Sequence, residues 1–232
     1  MDKAILHIDD LLEMLDGLLR EPTAFWEKFY EDRDKEVPFF IAKGPDENLY
    51  EYVQKGLRPG KILEIGCGPG RNAIFLAKNG AQVDAIDFSE KAIKWAAERA
   101  KEAQADINFK CVSLFDFHFD FHTYDFIYDS GMFHHLPPHR RLTYLEIIKA
   151  ALKPGGKFGL VCFNTDGALP TPDWEVYHSG SLKGGIGYTE ERLKAIFHND
   201  FNFMEIRKMK KIQQPSNLFG EDFLWACLMR LK

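Results

Sequence analysis

Apolar residues follow a helical rhythm at the start of the chain. Ile5, Ile8, Leu11, Leu12, Leu15, Leu18 and Leu19 recur at three- and four-residue spacings, which predicts a helix over residues 5–20. Pro22 separates it from a second helix, where Phe25, Trp26, Phe29 and Tyr30 share one face. Val37-Pro38-Phe39-Phe40 reads as a short loop, and a third helix is expected over Asp46 to Lys55, ahead of Gly56, Pro59 and Gly60.

The rhythm then changes. Ile62, Leu63 and Ile65 form a short apolar run, as a strand buried on both faces does. Val83, Ala85 and Ile86, the run from Ile107, Phe126 to Tyr128, and Lys157 to Phe163 repeat the pattern. Amphipathic helical stretches lie between them, Ser89 to Ala103 and Pro138 to Leu152 being the clearest. Two more strands, Phe203 to Ile212 and Phe223 to Leu231, follow a helix capped by Thr189. Gly220, with Asn217 and Asp222 around it, predicts the turn of an antiparallel pair at the sheet edge. Alternating strands and helices predict an α/β, Rossmann-like doubly wound sheet. It is expected to be mostly parallel and seven-stranded, with an antiparallel C-terminal hairpin and an N-terminal helical lid. Residues 164–188 break the alternation, being rich in Gly, Pro, Asp and Thr and carrying Trp174, Tyr177, His178 and Tyr188. A segment of that length in a compact domain is commonly functional, and a substrate-side insertion is expected. The expected organisation is one domain over 1–232, with a helical lid at 1–56 and a core at 57–232.

Chemistry concentrates after the first strand. Gly66, Gly68 and Gly70 fall at every second position, with Glu64 ahead, Cys67 between and Arg71 directly behind. Glycines allow a sharp turn and close approach of a ligand to the main chain. The helix that follows points free N–H groups at the same place. A dinucleotide fingerprint needs another glycine where Arg71 stands, and a phosphate-cradling P-loop needs a Gly-Lys-Ser/Thr that is absent. Asp87 ends the second strand, where a carboxylate can accept two ribose hydroxyls, and Phe88 beside it offers an apolar face. Asp129 and Ser130 end the fourth strand, at the edge where open α/β sheets bind ligands. His134 and His135 follow, without further ligands at metal-binding spacing. His134 is a candidate for proton transfer or substrate contact.

The acidic-x-Gly-x-Gly-x-Gly run resembles the first motif of class I S-adenosylmethionine-dependent methyltransferases. Gly70-Arg71-Asn72 through Leu76-Ala77 resembles more narrowly the tellurite-resistance and thiopurine or thiol methyltransferases. The resemblance implies S-adenosylmethionine as cofactor, held by the glycine loop, Asp87, Phe88 and the end of the fourth strand. It implies that Leu114 and Phe115 flank the adenine, and that the tryptophan-bearing N-terminal helix acts as a lid. Trp26, Tyr30, His134, Trp174 and Tyr188 are then the substrate-side candidates. One departure matters: the thiopurine group has Arg after the fourth-strand Asp, where this chain has Ser130. Arg71 is open to two readings, an anchor for the methionine carboxylate or an outward salt bridge. The implied acceptor is a thiol or another soft or heterocyclic small molecule. An Asn/Asp-Pro-Pro-Tyr/Phe motif for exocyclic base amines is missing. An NAD-dependent oxidoreductase shares the strand-glycine-helix start, but Arg71 and the terminal hairpin speak against it. A catalytically idle S-adenosylmethionine-binding domain remains a rival.

Composition narrows the partners. The net charge of −5 supplies no basic footprint for nucleic acid or anionic membrane. Cys67, Cys111, Cys162 and Cys227 have no close metal-binding spacing, which suggests reduced thiols in a cytoplasmic protein. Asp2, Asp9 and Asp10 are unlike a secretory signal, and no apolar run is long enough to span a bilayer.

Overall fold

The computed structural model describes residues 4–57, 60–213 and 216–232. Asp2 and Pro59, used above as signals, lie outside the described residues. Before the sheet come α1 (Ile8–Asp16), α2 (Thr23–Glu31), α3 (Pro38–Ile41) and α4 (Glu47–Gln54). The core then alternates: β1 (Lys61–Ile65), α5 (Arg71–Lys78), β2 (Gln82–Asp87), α6 (Glu90–Glu102), β3 (Asn108–Cys111), β4 (Tyr124–Ser130), α7 (Arg140–Ala151) and β5 (Leu152–Phe163). The chain closes with α8 (Asp173–Ser179), α9 (Glu190–Phe197), β6 (Phe201–Lys208) and β7 (Leu224–Leu231).

The described strands form one seven-stranded sheet in the order β3-β2-β1-β4-β5-β7-β6. β1 to β5 pair in parallel, while β7 runs antiparallel between β5 and β6. Parallel strands need crossover helices, which cover both faces. The strand pleat divides neighbours between two cores. Leu63, Ile127 and Phe158 face one layer, while Ile62, Phe126 and Val161 face the other. Strand order reverses between β1 and β4, so a crevice opens at their carboxyl ends.

Several elements differ from the expected bounds. α1 is shorter than its apolar repeat because Asp10 accepts the main-chain N–H groups of Leu6 and His7, starting the helix at Ile8. Val37 to Ile41 is a helical turn with Pro38 in its first position, where its missing N–H costs no hydrogen bond. β5 begins at Leu152 because the Lys-Pro-Gly-Gly segment bulges within the β4–β5 ladder instead of separating helix from strand. Gly220 is not the tip of a tight hairpin. Residues 209–223 make a long connection, and Phe219 pairs with the segment before α4, with Glu47 N donating to its carbonyl and its own N to that of Pro45.

The N-terminal helices rest on the sheet's carboxyl edge through α6. Glu27 of α2 accepts the N–H of Glu90 at 2.5 Å, a carboxylate at the positive end of α6. Lys91 pairs with Glu31 at 3.2 Å, and the Phe40 ring meets Trp95 edge-on at 4.8 Å. Among the described residues, no helix is long and apolar enough to cross a membrane.

Candidate functional site

The glycine loop leaves β1 at its carboxyl end. Gly66 has φ 62° and Gly68 φ 50°, backbone that favours residues without a Cβ. A Cβ on Gly66 would stand 2.9 Å from that of Met132, and one on Gly68 would stand 2.9 Å from the Tyr30 hydroxyl. The loop is thus pressed between the turn after β4 and the N-terminal helix α2. Cys67 points inward and its thiol is pushed well up by burial, so it offers no reactive thiolate.

Asp87 ties the loop to β2. One carboxylate oxygen accepts from Gly68 N and the other from Ser89 N, both at 2.9 Å. Burial raises its pKa to about 6, against the pull of those donors. Each oxygen keeps a further lone pair. The adjoining Ser89 caps α6 through Ala92 N, leaving Asp87 free of that duty. Phe88 and Phe115 are half-buried and Leu114 is buried in the turn after β3, with the Arg140 guanidinium 5.1 Å from the Phe115 ring.

Arg71 does not form the outward salt bridge, one of its two readings. Its guanidinium turns inward to Asp46 at 2.6 Å, donates to the Gly44 carbonyl at 3.2 Å and covers the Phe219 ring at 4.4 Å. It is therefore buried and paired inside the protein rather than turned outward. Asp46, fully buried, also accepts from Tyr128 at 2.7 Å and Asn72 at 3.2 Å. Glu64 lies beside this network with Oε2 lacking a good hydrogen bond among the described residues. Burial lifts Glu64 to about 8, opposed by Arg71 and reinforced by Asp46, so it is largely protonated at neutral pH.

Asp129 is inside the protein. Its oxygens accept from Met132 N at 2.8 Å and the Tyr144 hydroxyl at 2.6 Å, and burial raises its pKa to about 6. The side chain thereby shapes the turn after β4, and Ser130, half-buried, is the neighbouring group left at the strand end.

The two histidines differ. Phe163 N donates to His134 Nδ1 at 3.2 Å, which places the proton of the neutral ring on Nε2. The ring stacks on Phe163 at 3.7 Å, and burial with the adjacent His135 drives its pKa well down. His134 is thus built to donate a hydrogen bond and is a poor proton acceptor. His135 meets the Trp26 ring edge-on at 4.9 Å, and burial lowers it to about 4. The sequence pointed to His134 of the pair; in the structure His135 is the one that contacts the N-terminal helix.

Two substrate-side candidates move away from this pocket. Trp174 is 67% exposed on α8, against His178. Tyr188 is fully buried among Phe133, Arg141 and Arg192. Asn164 and Tyr188 form a bridge, and Trp225 donates to the Tyr188 carbonyl at 2.7 Å, so the segment's end enters the core. Trp26 and Tyr30 stay at the crevice, their rings stacked 5.9 Å apart. Residues missed from the sequence are Asp46, Phe163 and Phe219. Each acts through partners far along the chain, and no local spacing announces them. No group of three or more His, Cys, Asp or Glu is arranged to hold a metal among the described residues.

Comparison with known proteins agrees with this geometry. Residues 62–156 match the methyltransferase domain family. The chain is 34% identical over 108 residues to a ubiquinone biosynthesis O-methyltransferase of Coxiella burnetii, covering 47% of this chain and 45% of that one. It is 28% identical over 173 residues to phosphoethanolamine N-methyltransferase 3 of Arabidopsis thaliana, covering 73% and 33% respectively. The chain thus spans less than half the length of these relatives. The solved 1,6-didemethyltoxoflavin-N1-methyltransferase of Burkholderia thailandensis, with bound S-adenosylhomocysteine, superposes with a TM-score of 0.64. It shares 19% identity and covers 100% of this chain and 93% of that one. Sheet order, glycine loop and matched segment together give the core the fold of the S-adenosylmethionine-dependent methyltransferases it superposes on, with residues 62–156 similar in sequence to a methyltransferase domain.

Proposed function

We propose that the protein transfers a methyl group from S-adenosylmethionine to a small-molecule nucleophile, with a thiol or another soft or heterocyclic acceptor favoured. The observation that carries this reading is Asp87. It binds Gly68 N while keeping lone pairs for a ribose, and so couples the glycine loop to the strand end. Gly66, Gly68 and Gly70 would let the main chain approach the donor, with Phe88, Leu114 and Phe115 as the apolar walls for adenine. Ser130 and the main chain around Asp129 would meet the methionine end.

Bound there, S-adenosylmethionine supplies an already activated methyl group, so the protein mainly positions and dehydrates. Trp26 and Tyr30 would close the crevice as part of a 1–56 lid on a 57–232 core, the whole chain acting as one domain. Trp26, His135 and Phe163, whose rings meet in sequence, would line an aromatic recess with uncharged histidines, which suits a planar, uncharged acceptor. His134 Nε2–H would orient that acceptor. The 164–188 segment would brace the recess rather than cover it, since Ile186 N bonds the His134 carbonyl at 2.8 Å.

A methyl-donor turnover screen over thiols, phenols, amines and carboxylates tests the reading, with S-adenosylhomocysteine binding measured by calorimetry on the same protein. Turnover of a thiol or heterocycle supports it. Tight binding without turnover of any class would favour an idle binding domain, and NADH binding in place of S-adenosylhomocysteine would overturn it.

A further inference from the structure

A second set of polar groups lies away from the crevice, where α7, α8 and α9 meet. Arg141, in the first turn of α7, has a side chain only 6% exposed. Its Nη1 donates to both oxygens of Asp173 on α8, at 2.8 and 3.0 Å. Its Nε and Nη2 are buried and make no hydrogen bond of good geometry to any described residue. The Tyr188 hydroxyl likewise makes no bond of good geometry, its near polar neighbour being Arg141 itself. Arg141 and Arg192 each lie 5.3 Å from the Tyr188 ring, and Arg192 also pairs with Asp173. Arg140 next to them is held by Asp16. Three guanidinium groups thus face two carboxylates.

Nε and Nη2 form the side edge of a guanidinium, a fork that matches two oxygens of a carboxylate or phosphate. A buried fork without acceptors is costly, because each N–H has lost water without replacement. The one nearby hydroxyl can donate to the same ligand. Donors of two side chains thus meet here, and among the described residues the Tyr188 oxygen is the one acceptor near a fork that could use two.

We propose that the Nε/Nη2 edge of Arg141 and the Tyr188 hydroxyl form a binding site for a small oxyanion, a carboxylate or phosphate, separate from the methyl-transfer crevice. Phe133 stands between the two, its ring 5.1 Å from that of Tyr188 and its chain leading directly into His134. An anion here would join α7 to the end of the 164–188 segment, and so stiffen the brace behind the histidines.

The test is calorimetry and thermal melting of the full chain in inorganic phosphate and in acetate, against chloride at matched ionic strength. Wild type is expected to bind one equivalent saturably and melt higher. Arg141→Gln and Tyr188→Phe should each weaken that binding about tenfold or more, as the loss of a charge-assisted or buried hydrogen bond predicts. Tyr188→Phe removes a single oxygen and keeps the ring packing, so it serves if Arg141→Gln fails to fold. No saturable binding by wild type, or equal binding by the variants, would overturn the proposal, the fork then holding water or the ion lying elsewhere. Comparing an acceptor that bears an acid group with its methyl ester separates the sources. A KM difference abolished by Tyr188→Phe would place the acceptor's acid group in the fork and overturn its separation from the crevice, while phosphate binding without one assigns the site to a free ion. S-adenosylhomocysteine affinity should be unchanged in Tyr188→Phe; its absence in wild type would count against the methyltransferase reading and leave the anion site standing.

Discussion

The two sides of the crevice are built by different means. On the proposed donor side, positions are fixed by main-chain geometry and by a buried polar network. Gly66 and Gly68 hold left-handed backbone, Asp87 bonds two main-chain N–H groups, and Arg71 is locked to Asp46. On the proposed acceptor side, aromatic rings meet one another across separate elements: Trp26 from α2, His135 from the turn after β4, Phe163 from the end of β5. Hydrogen-bonded backbone tolerates little change, while ring contacts can be repacked. Under the proposed function, the loop meeting the donor is held by main-chain bonds, and acceptor choice falls to ring contacts between separate elements.

Breaking the donor side should cost most. Arg71→Met strands the buried Asp46 carboxylate and should lower unfolding stability by about 3–5 kcal/mol, read from urea denaturation. A loss below ~1 kcal/mol would mean that Asp46 is served by Tyr128 and Asn72 alone. Asp87→Ala comes next. It should weaken S-adenosylhomocysteine binding by on the order of 1.5–3 kcal/mol in calorimetry, through lost charge-assisted hydrogen bonds and a loosened Gly68. Unchanged affinity would show that the ribose lies elsewhere.

The acceptor side should respond more weakly and separately. Trp26→Ala is expected to reduce kcat/KM for the acceptor about tenfold, with S-adenosylhomocysteine affinity held within a factor of about two. Equal losses in both would merge the two sides into one unit.

The smallest effects are in pH dependence. Glu64 binds its proton more tightly folded than unfolded, with a pKa of about 8 against an ordinary 4.5. Its stabilising contribution is therefore complete below pH 4.5 and is lost as pH rises towards 8. Glu64→Gln should gain in melting temperature relative to wild type across that window, and a constant difference would refute the shift. Asp87 and Asp129, raised to about 6, act in the same direction between their ordinary 3.8 and 6. The histidines work oppositely: both are lowered, His135 to about 4, so stability falls as pH drops below 6.5. Acceptor turnover should accordingly show no inflection from histidine ionisation near 6.5 in a pH–rate profile.

The donor side was also the legible side. Glycine spacing, the Asp at a strand end and the apolar runs of β1, β2 and β4 are local signals, and the sheet followed from them. Arg71 shows where legibility stops. Its neighbours Gly70 and Asn72 placed it at a helix start, but its partner Asp46 belongs to a turn that no periodicity connects to it. Tyr188 shows the opposite limit. Glycines at 184, 185 and 187 made its surroundings read as an open loop, while pairing to Asn164 and Trp225 draws it into the core. His134 was marked by residue type, but its tautomer depends on Phe163 N, a donor supplied by another strand.

The connection between β6 and β7 has a consequence for the order in which the protein can be assembled. Residues 62–156 hold the matched methyltransferase segment, yet Phe219 covers Arg71 and pairs with the residues beside Asp46. A chain emerging from the ribosome completes its glycine loop long before the residue that seats the arginine behind it. The proposed donor pocket is therefore encoded early and finished late, its last support arriving with the strands that close the sheet.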